Sequence, residues 1–161
     1  MECAERFPCW SRLEAIGVDL RFERDDEPDH EAVQELAERL FRFNQQRSGD
    51  PDFHEFAVWV RGDSGEILGG ATGWSRWGWL HVGVLWVDEN CRGVGAGTRL
   101  IAEVEELARV RGCTLVDLDT FSFQAPQFYR RLGYQEFANL EIGSRGHQKI
   151  FLRKRLEPDH G

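Results

Sequence analysis

What this chain lacks narrows its reading first. No apolar run approaches the roughly 18 residues that a membrane-spanning helix needs. The opening residues Met1-Glu2-Cys3-Ala4-Glu5-Arg6 have neither the basic start nor the apolar stretch of a secretory signal, so a cytoplasmic setting is expected. The cysteines, at positions 3, 9, 91 and 113, include no pair at the two-residue spacing of a zinc or redox motif; free thiols are the simplest reading. His54 with Glu55, and His147, have no further ligand at metal-binding spacing, and no metal is expected. Cations are in deficit: 20 Lys and Arg face 28 Asp and Glu, a formal net charge of −8. That balance argues against nucleic acid as a partner. It suits a cationic acceptor, and equally a surface kept acidic for solubility.

What is present suits one domain over residues 1–161, with 41% hydrophobic and 30% charged residues. Eleven Phe and six Trp supply apolar area for a core. Residues 1–16 read as an undetermined lead-in. Val18 to Glu23 alternates apolar and charged residues, as a half-buried strand does. His30 to Asn44 places Val33, Leu36, Ala37, Leu40 and Phe41 at helical spacing, and Gln45 to Phe53 reads as a polar loop. Strand patterns follow at 56–61, 66–74 and 79–87. The first two are separated by Gly62-Asp63-Ser64-Gly65, the second and third by a turn within Ser75 to Gly78. Gly97 to Arg111 is helical, with Gly112 as its stop. Thr114 to Asp119 is a strand expected to run parallel to the 79–87 strand. A short helix from Pro126 to about Leu132 is closed by Gly133, and strands at 135–142 and 148–156 complete the chain. The fold class is α/β in the α+β sense: one mixed sheet with helices on its faces.

Between the 79–87 strand and the next helix lies Asp88-Glu89-Asn90-Cys91-Arg92-Gly93-Val94-Gly95-Ala96-Gly97-Thr98. Glycines there allow a tight turn and close approach of a ligand. Their amides and the helix N-terminus converge on one spot, which makes an anion cradle, and Arg92 and Arg99 can add charge. A triphosphate-binding loop needs a Lys after its last glycine, and Thr98 stands there instead. A dinucleotide turn needs a third glycine where Thr98 is, close against the strand end, and a second nucleotide-binding half for which too little chain remains.

A third reading rests on two motifs. Arg92, Gly95 and Gly97 fit a (Gln/Arg)-x-x-Gly-x-(Gly/Ala) signature, preceded by Leu85-Trp86-Val87. One helix and one strand later comes Ala125-Pro126-Gln127-Phe128-Tyr129-Arg130-Arg131-Leu132-Gly133-Tyr134, close to Asn-x-x-Ala-x-x-Phe-Tyr-x-x-x-Gly-Phe. In both respects the chain resembles the GCN5-related N-acetyltransferase (GNAT) family, well over about residues 56–156.

The resemblance implies a mostly antiparallel sheet whose fourth and fifth strands run parallel and splay apart, flanked by about four helices. Acetyl-CoA would wedge into that splay as co-substrate. The backbone of Leu85, Trp86 and Val87 would pair with its pantetheine arm, and Arg92, Gly93, Val94, Gly95, Ala96, Gly97 and Thr98 would hold its pyrophosphate. A primary amine of a small molecule or peptide would attack the thioester directly in a ternary complex. Tyr129 stands where the family carries the acid that protonates the departing thiolate; Tyr134 reads as core. Ser122 replaces the usual Asn, which puts that pantetheine contact in doubt. For the base, His81, Asp119 and Glu66 are open alternatives beside a water chain. Selectivity would come from 41–53 and 139–147. Trp59, Trp74, Trp77, Trp79 and Trp86 form an aromatic acceptor pocket, ordinary packing, or an edge used in dimerisation. A homodimer is expected, and no nucleic-acid or membrane partner. The alternative is a non-catalytic module that senses acyl-CoA.

Overall fold

The structure is a computed structural model that describes residues 21–49, 52–143 and 145–157. By its contacts the chain divides into two units, 1–48 and 49–161. In the first, helix α1 runs His30–Ser48. It outlasts the expected end at Asn44 by one turn, because Gln45, Gln46 and Arg47 are polar yet good helix formers. The Ser48 hydroxyl donates to the Asn44 carbonyl (2.9 Å), and Gly49, at φ 80°, ends the helix. The expected strand at 18–23 is corrected in part: Arg21 to Glu23 are exposed and belong to no strand, while 18–20 lie outside the described residues. The lead-in 1–16, with Cys3 and Cys9, lies outside them too.

The second unit carries a six-stranded sheet: β1 (His54–Arg61), β2 (Ile67–Arg76), β3 (Trp79–Val87), β4 (Leu115–Phe121), β5 (Gln135–Ile142) and β6 (His147–Arg155). Their order is β1-β2-β3-β4-β6-β5, and only β3 and β4 are parallel. Helix α2 (Ala96–Val110) joins β3 to β4, and α3 (Pro126–Arg131) precedes β5. With a 3₁₀ turn at Glu89–Cys91, the described residues hold three α-helices where about four were expected. None is long and apolar enough to cross a membrane.

Local chemistry accounts for the joints. Trp77 (φ 51°) and Gly78 (φ 76°) are both left-handed, the two-residue turn whose twist matches an antiparallel hairpin. The Trp77 amide donates to Asp52 Oδ2 (2.8 Å), which anchors the turn. Helix α2 buries Leu100, Ile101, Val104, Glu105 and Ala108, one stripe at helical spacing. That stripe meets Leu80 and Val82 of β3 and Val116 and Leu118 of β4 in the core. Glu105 is the one carboxylate in the stripe, and Lys154 of β6 donates to both of its oxygens at 2.8 Å. At the far end of α2, Arg111 donates to the carbonyls of His54 (2.9 Å) and Glu55 (3.1 Å), tying the helix to β1.

Alternation divides each central strand between two faces. Leu80 and Val82, with Val116, Leu118 and Thr120, point into the core under α2 and α3. Trp79 and His81, with Asp117 and Asp119, therefore point to the opposite face, each partly exposed.

Candidate active site

The two parallel strands part company in mid-sheet. Their pairing runs from Trp79↔Leu115 to Val82↔Leu118 and stops. On its other edge, β3 continues with β2 through Gly69↔Val87. Thr72 pairs with Val84 while Gly73 pairs with Val82, so Gly83 is an extra, bulged residue. A bulge bends and twists its strand, and this one falls one residue past the last parallel pair. Beyond it, Val84 to Val87 keep one edge without a strand partner among the described residues, while β4 continues with β6. Such an edge offers backbone donors and acceptors at strand spacing to any extended ligand.

At the end of that edge stands the glycine turn. Asp88 caps the 3₁₀ turn by accepting from the Asn90 amide (2.9 Å). Arg92 Nε donates to the Val87 carbonyl (3.0 Å), so this arginine shapes the turn as well as charging it. Gly93 (φ 79°) and Gly95 (φ 90°) both take the left-handed conformation. A Cβ on either would meet no atom within 4 Å: the space outside them is open. Backbone bonding in α2 begins with the Arg99 amide to the Gly95 carbonyl (2.9 Å). The amides of Ala96, Gly97 and Thr98 are thus the unbonded first amides of the helix. Arg99 is exposed and lies 3.6 Å from Glu103. Left-handed glycines, open space and free amides at a positive helix end fit a phosphate group.

The second motif abuts the first. A Cβ on Gly97 would stand 3.3 Å from Phe128 Cζ, so the first turn of α2 closes on α3 without room for a side chain. The next residue, Tyr129, is 8% exposed and packs against the rings of Phe128 (centroids 5.0 Å) and Tyr134 (6.1 Å). Burial, with a smaller contribution from the Asp119 charge, pushes its phenol up to about 12. It is therefore a neutral proton donor at any physiological pH. Tyr134 is more enclosed: burial and then the nearby Glu105 carboxylate raise its phenol further, and among the described residues no partner meets its hydroxyl at hydrogen-bond geometry. Tyr134 is core, as expected. Both phenols are raised on folding, so their contribution to stability is complete below pH 10 and declines above it. Unfolding free energy falls as pH rises from about 10 towards 12 and beyond. Tyr134→Phe blunts that decline in denaturant titrations; an equal decline in the variant would contradict the assignment.

Ser122 Oγ accepts from the Gln148 amide (3.1 Å), so the hydroxyl that stands at the Asn position already secures β6. Of the three base alternatives, Glu66 follows the 62–65 turn, exposed and accepting from the Ser64 hydroxyl. Asp119 is paired with Lys149 at 3.0 Å. His81 is set more tightly. Its Nδ1 lies 2.9 Å from Asp117 Oδ1, which also accepts from Trp79 Nε1 at 2.7 Å. The hydrogen bond to Asp117 raises the imidazole above its ordinary 6.5, against the opposing effect of burial. Sequence alone left this pair unread: both residues alternate correctly along their strands, but 36 positions separate them and only the parallel register His81↔Asp117 joins them.

The tryptophans separate. Trp74 lies edge-on to Trp79 (4.7 Å) and stacks with Phe53 (5.9 Å), beside His81. Trp77 lies under Arg76 at 4.0 Å, and Trp59 lies under Arg61 at 5.8 Å. Trp86 points out beside the free edge, 46% exposed. Among the described residues no group of three or more His, Cys, Asp or Glu could hold a metal ion.

Known proteins resemble this chain in sequence and in fold. The family model described as "Acetyltransferase (GNAT) family" matches residues 21–134. An acetyltransferase of Agrobacterium fabrum is 34% identical over 137 residues, 85% of this chain and 100% of that protein. Blasticidin-S acetyltransferase of Streptomyces morookaense is 46% identical over 86 residues, 53% of this chain; the match spans 63% of that protein's length. A crystal structure of an Agrobacterium tumefaciens protein, assigned as an acetyltransferase, superposes with a TM-score of 0.80 at 34% identity, over 85% of this chain and 100% of that one.

Proposed function

The chain belongs to the GNAT acetyltransferase family, and from that premise we propose that it moves the acetyl group of acetyl-CoA to a primary amine of a small molecule. The observation that carries the reading is the continuity of a free strand edge, opened by a bulge, with a glycine turn of left-handed residues at its end. An extended pantetheine fits the edge of Leu85, Trp86 and Val87. The pyrophosphate fits the amides from Gly93 to Thr98, with the charge of Arg92 alongside. The acceptor is taken as a small molecule rather than a peptide because of the similarity to an enzyme named for blasticidin S. The reading takes 1–161 as one acetyltransferase domain working in the cytoplasm as a homodimer, without metal, nucleic acid or membrane.

In this reaction the amine nitrogen attacks the thioester carbon in a ternary complex. The C–N bond forms, the C–S bond breaks, and the sulfur leaves as a thiolate. Tyr129 supplies the proton that the sulfur takes. Raised to about 12 by burial, the phenol carries its proton at neutral pH, as a donor must. Tyr129→Phe is expected to lower kcat by about 10- to 100-fold, with the KM for acetyl-CoA within about 2-fold. An unchanged kcat would remove the tyrosine from the chemistry.

Thiol release from acetyl-CoA, followed across blasticidin S, a diamine, a polyamine and an arylalkylamine, tests the whole reading. Turnover on one of them, with calorimetric binding of acetyl-CoA, supports it. Binding without turnover on any, and indifference to Tyr129→Phe, would mark a sensor of acyl-CoA instead.

A further inference from the structure

The amine in that reaction arrives as an ammonium ion and must lose a proton before it can attack. The face of the sheet opposite α2 carries a group built for that task. His81 lies one residue before the end of the β3–β4 pairing, so its side chain stands at the root of the splay. An ionised Asp117 can only accept hydrogen bonds, so the proton of a neutral His81 sits on Nδ1 and the lone pair on Nε2. The second bond to Asp117 Oδ1, from Trp79 Nε1, holds the carboxylate in place. Trp74 (ring centroid 5.4 Å away) and Trp79 (6.3 Å) confine the imidazole from β2 and from its own strand. The side chain keeps 23% of its surface exposed, and Nε2 has no partner among the described residues. A ring fixed in tautomer and orientation, with its basic nitrogen open to solvent, is the arrangement of a general base.

The surroundings suit a cationic acceptor. Asp119, the next residue of β4 on this face, is close enough for its charge to act on both His81 and the Tyr129 phenol. Lys149 of β6 partly offsets it. The Trp74 ring, with Phe53 stacked on it, adjoins an open groove of about 560 Å³ lined also by Glu55, Ala57 and Thr72. Aromatic faces and carboxylates together attract a cation and place few demands on the rest of the molecule.

We propose that His81, positioned by Asp117, is the general base that takes the proton from an organic ammonium acceptor lodged against Trp74. The step balances simply. Nε2 takes one proton from R–NH₃⁺ and releases it to solvent through the exposed edge; the freed lone pair forms the C–N bond, and as the C–S bond breaks the nitrogen gives up its second proton by way of solvent, which replaces the one that Tyr129 hands to the sulfur. This rests on the transferase reading above. Among the described residues, the charged groups acting on His81 are Asp117 and Asp119 from β4 and Lys149 from β6, and Arg153 of β6 stands at the register position opposite Asp117; Trp74 of β2 is neutral. The hydrogen bond to Asp117 holds the imidazole above its ordinary value against burial and Lys149, so the acid limb of kcat/KM lies above that value and activity rises with pH through it.

The test compares wild type, His81→Gln and Asp117→Asn in pH profiles with the best amine of the panel, alongside calorimetry with acetyl-CoA. His81→Gln should lose about 10²- to 10⁴-fold in kcat/KM, replace the imidazole limb with the acceptor's own ionisation, and bind acetyl-CoA within about 2-fold of wild type. Asp117→Asn should retain a limb that has moved to lower pH, since the neutral amide no longer favours the imidazolium. An active wild type whose His81→Gln variant keeps its rate or its profile overturns this proposal alone. So does loss of acetyl-CoA binding in that variant, which would give His81 a structural role. A limb that stays in place in Asp117→Asn removes the positioning role. A wild type that binds acetyl-CoA and acetylates no amine overturns the transferase reading and this proposal together.

Discussion

Gly95→Val is expected to weaken acetyl-CoA binding by more than about 100-fold while the protein stays folded. Gly95 sits at φ 90° as the N-cap of α2, a conformation that a β-branched residue strongly resists. Two outcomes are available to the variant, and both harm the cradle. If the backbone holds, the valine methyls enter the open space beside the turn, because no protein atom lies within 4 Å to divert them. If the backbone relaxes, the amides of Ala96, Gly97 and Thr98 no longer converge. Hydrogen bonds to a charged group contribute about 1.5–3 kcal/mol each. Losing one or two of them amounts to about 2.8 kcal/mol, a hundredfold in affinity. Gly112→Val is the matched control: Gly112 is also left-handed (φ 71°) with open space around it, but at the other end of the same helix. It should lower stability and leave affinity alone. Equal calorimetric affinities for the two variants would show that the turn does not hold the phosphates.

Gly73→Ala is expected to cost more than about 3 kcal/mol of unfolding free energy. A Cβ at this position would stand 1.9 Å from the His81 carbonyl oxygen and 2.9 Å from a Phe56 ring carbon. The first neighbour is backbone and cannot swing aside. Relief requires β2 and β3 to separate at the bulge, where Thr72↔Val84 and Gly73↔Val82 flank Gly83. The same displacement would move the strand that carries His81. Gly83→Ala, across the bulge, makes the comparison sharp: its Cβ would meet only the Thr72 carbonyl, at an ordinary 3.7 Å, and should cost about 1 kcal/mol or less. Urea denaturation of both variants decides the matter, and equal midpoints would refute the close approach.

Much of this site was legible in the residues. The glycine turn could be read because its requirement is local. A positive φ, a helix beginning and the absence of a following lysine are written in consecutive positions. Helix α2 was expected at 97–111 and runs Ala96–Val110, since a strong apolar stripe repeats at helical spacing. The strand at 135–142 matches for a different reason: Gly133 and Gly143, both left-handed, bracket it. Where periodicity was weak, the reading slipped. The polar end of α1 read as a loop because its last turn carries no apolar residue. Arg21-Phe22-Glu23 alternates like a strand, but a short alternating stretch does not make a strand by itself, and Phe22 is 73% exposed.

Residue order thus determined the local devices: the glycine turn, the Tyr129 helix with its glycine stop, and the family to which the chain belongs. The tertiary structure decided what depends on register. It inserted β6 between β4 and β5, ended the β3–β4 pairing at Val82, and set His81 opposite Asp117. Shifting a strand by one residue exchanges its faces without altering its composition or its period. Register is chosen by the packing of the whole sheet against α2, where Leu80, Val82, Val116 and Leu118 must all be buried together. The same choice turns His81 and Asp117 outward as a pair.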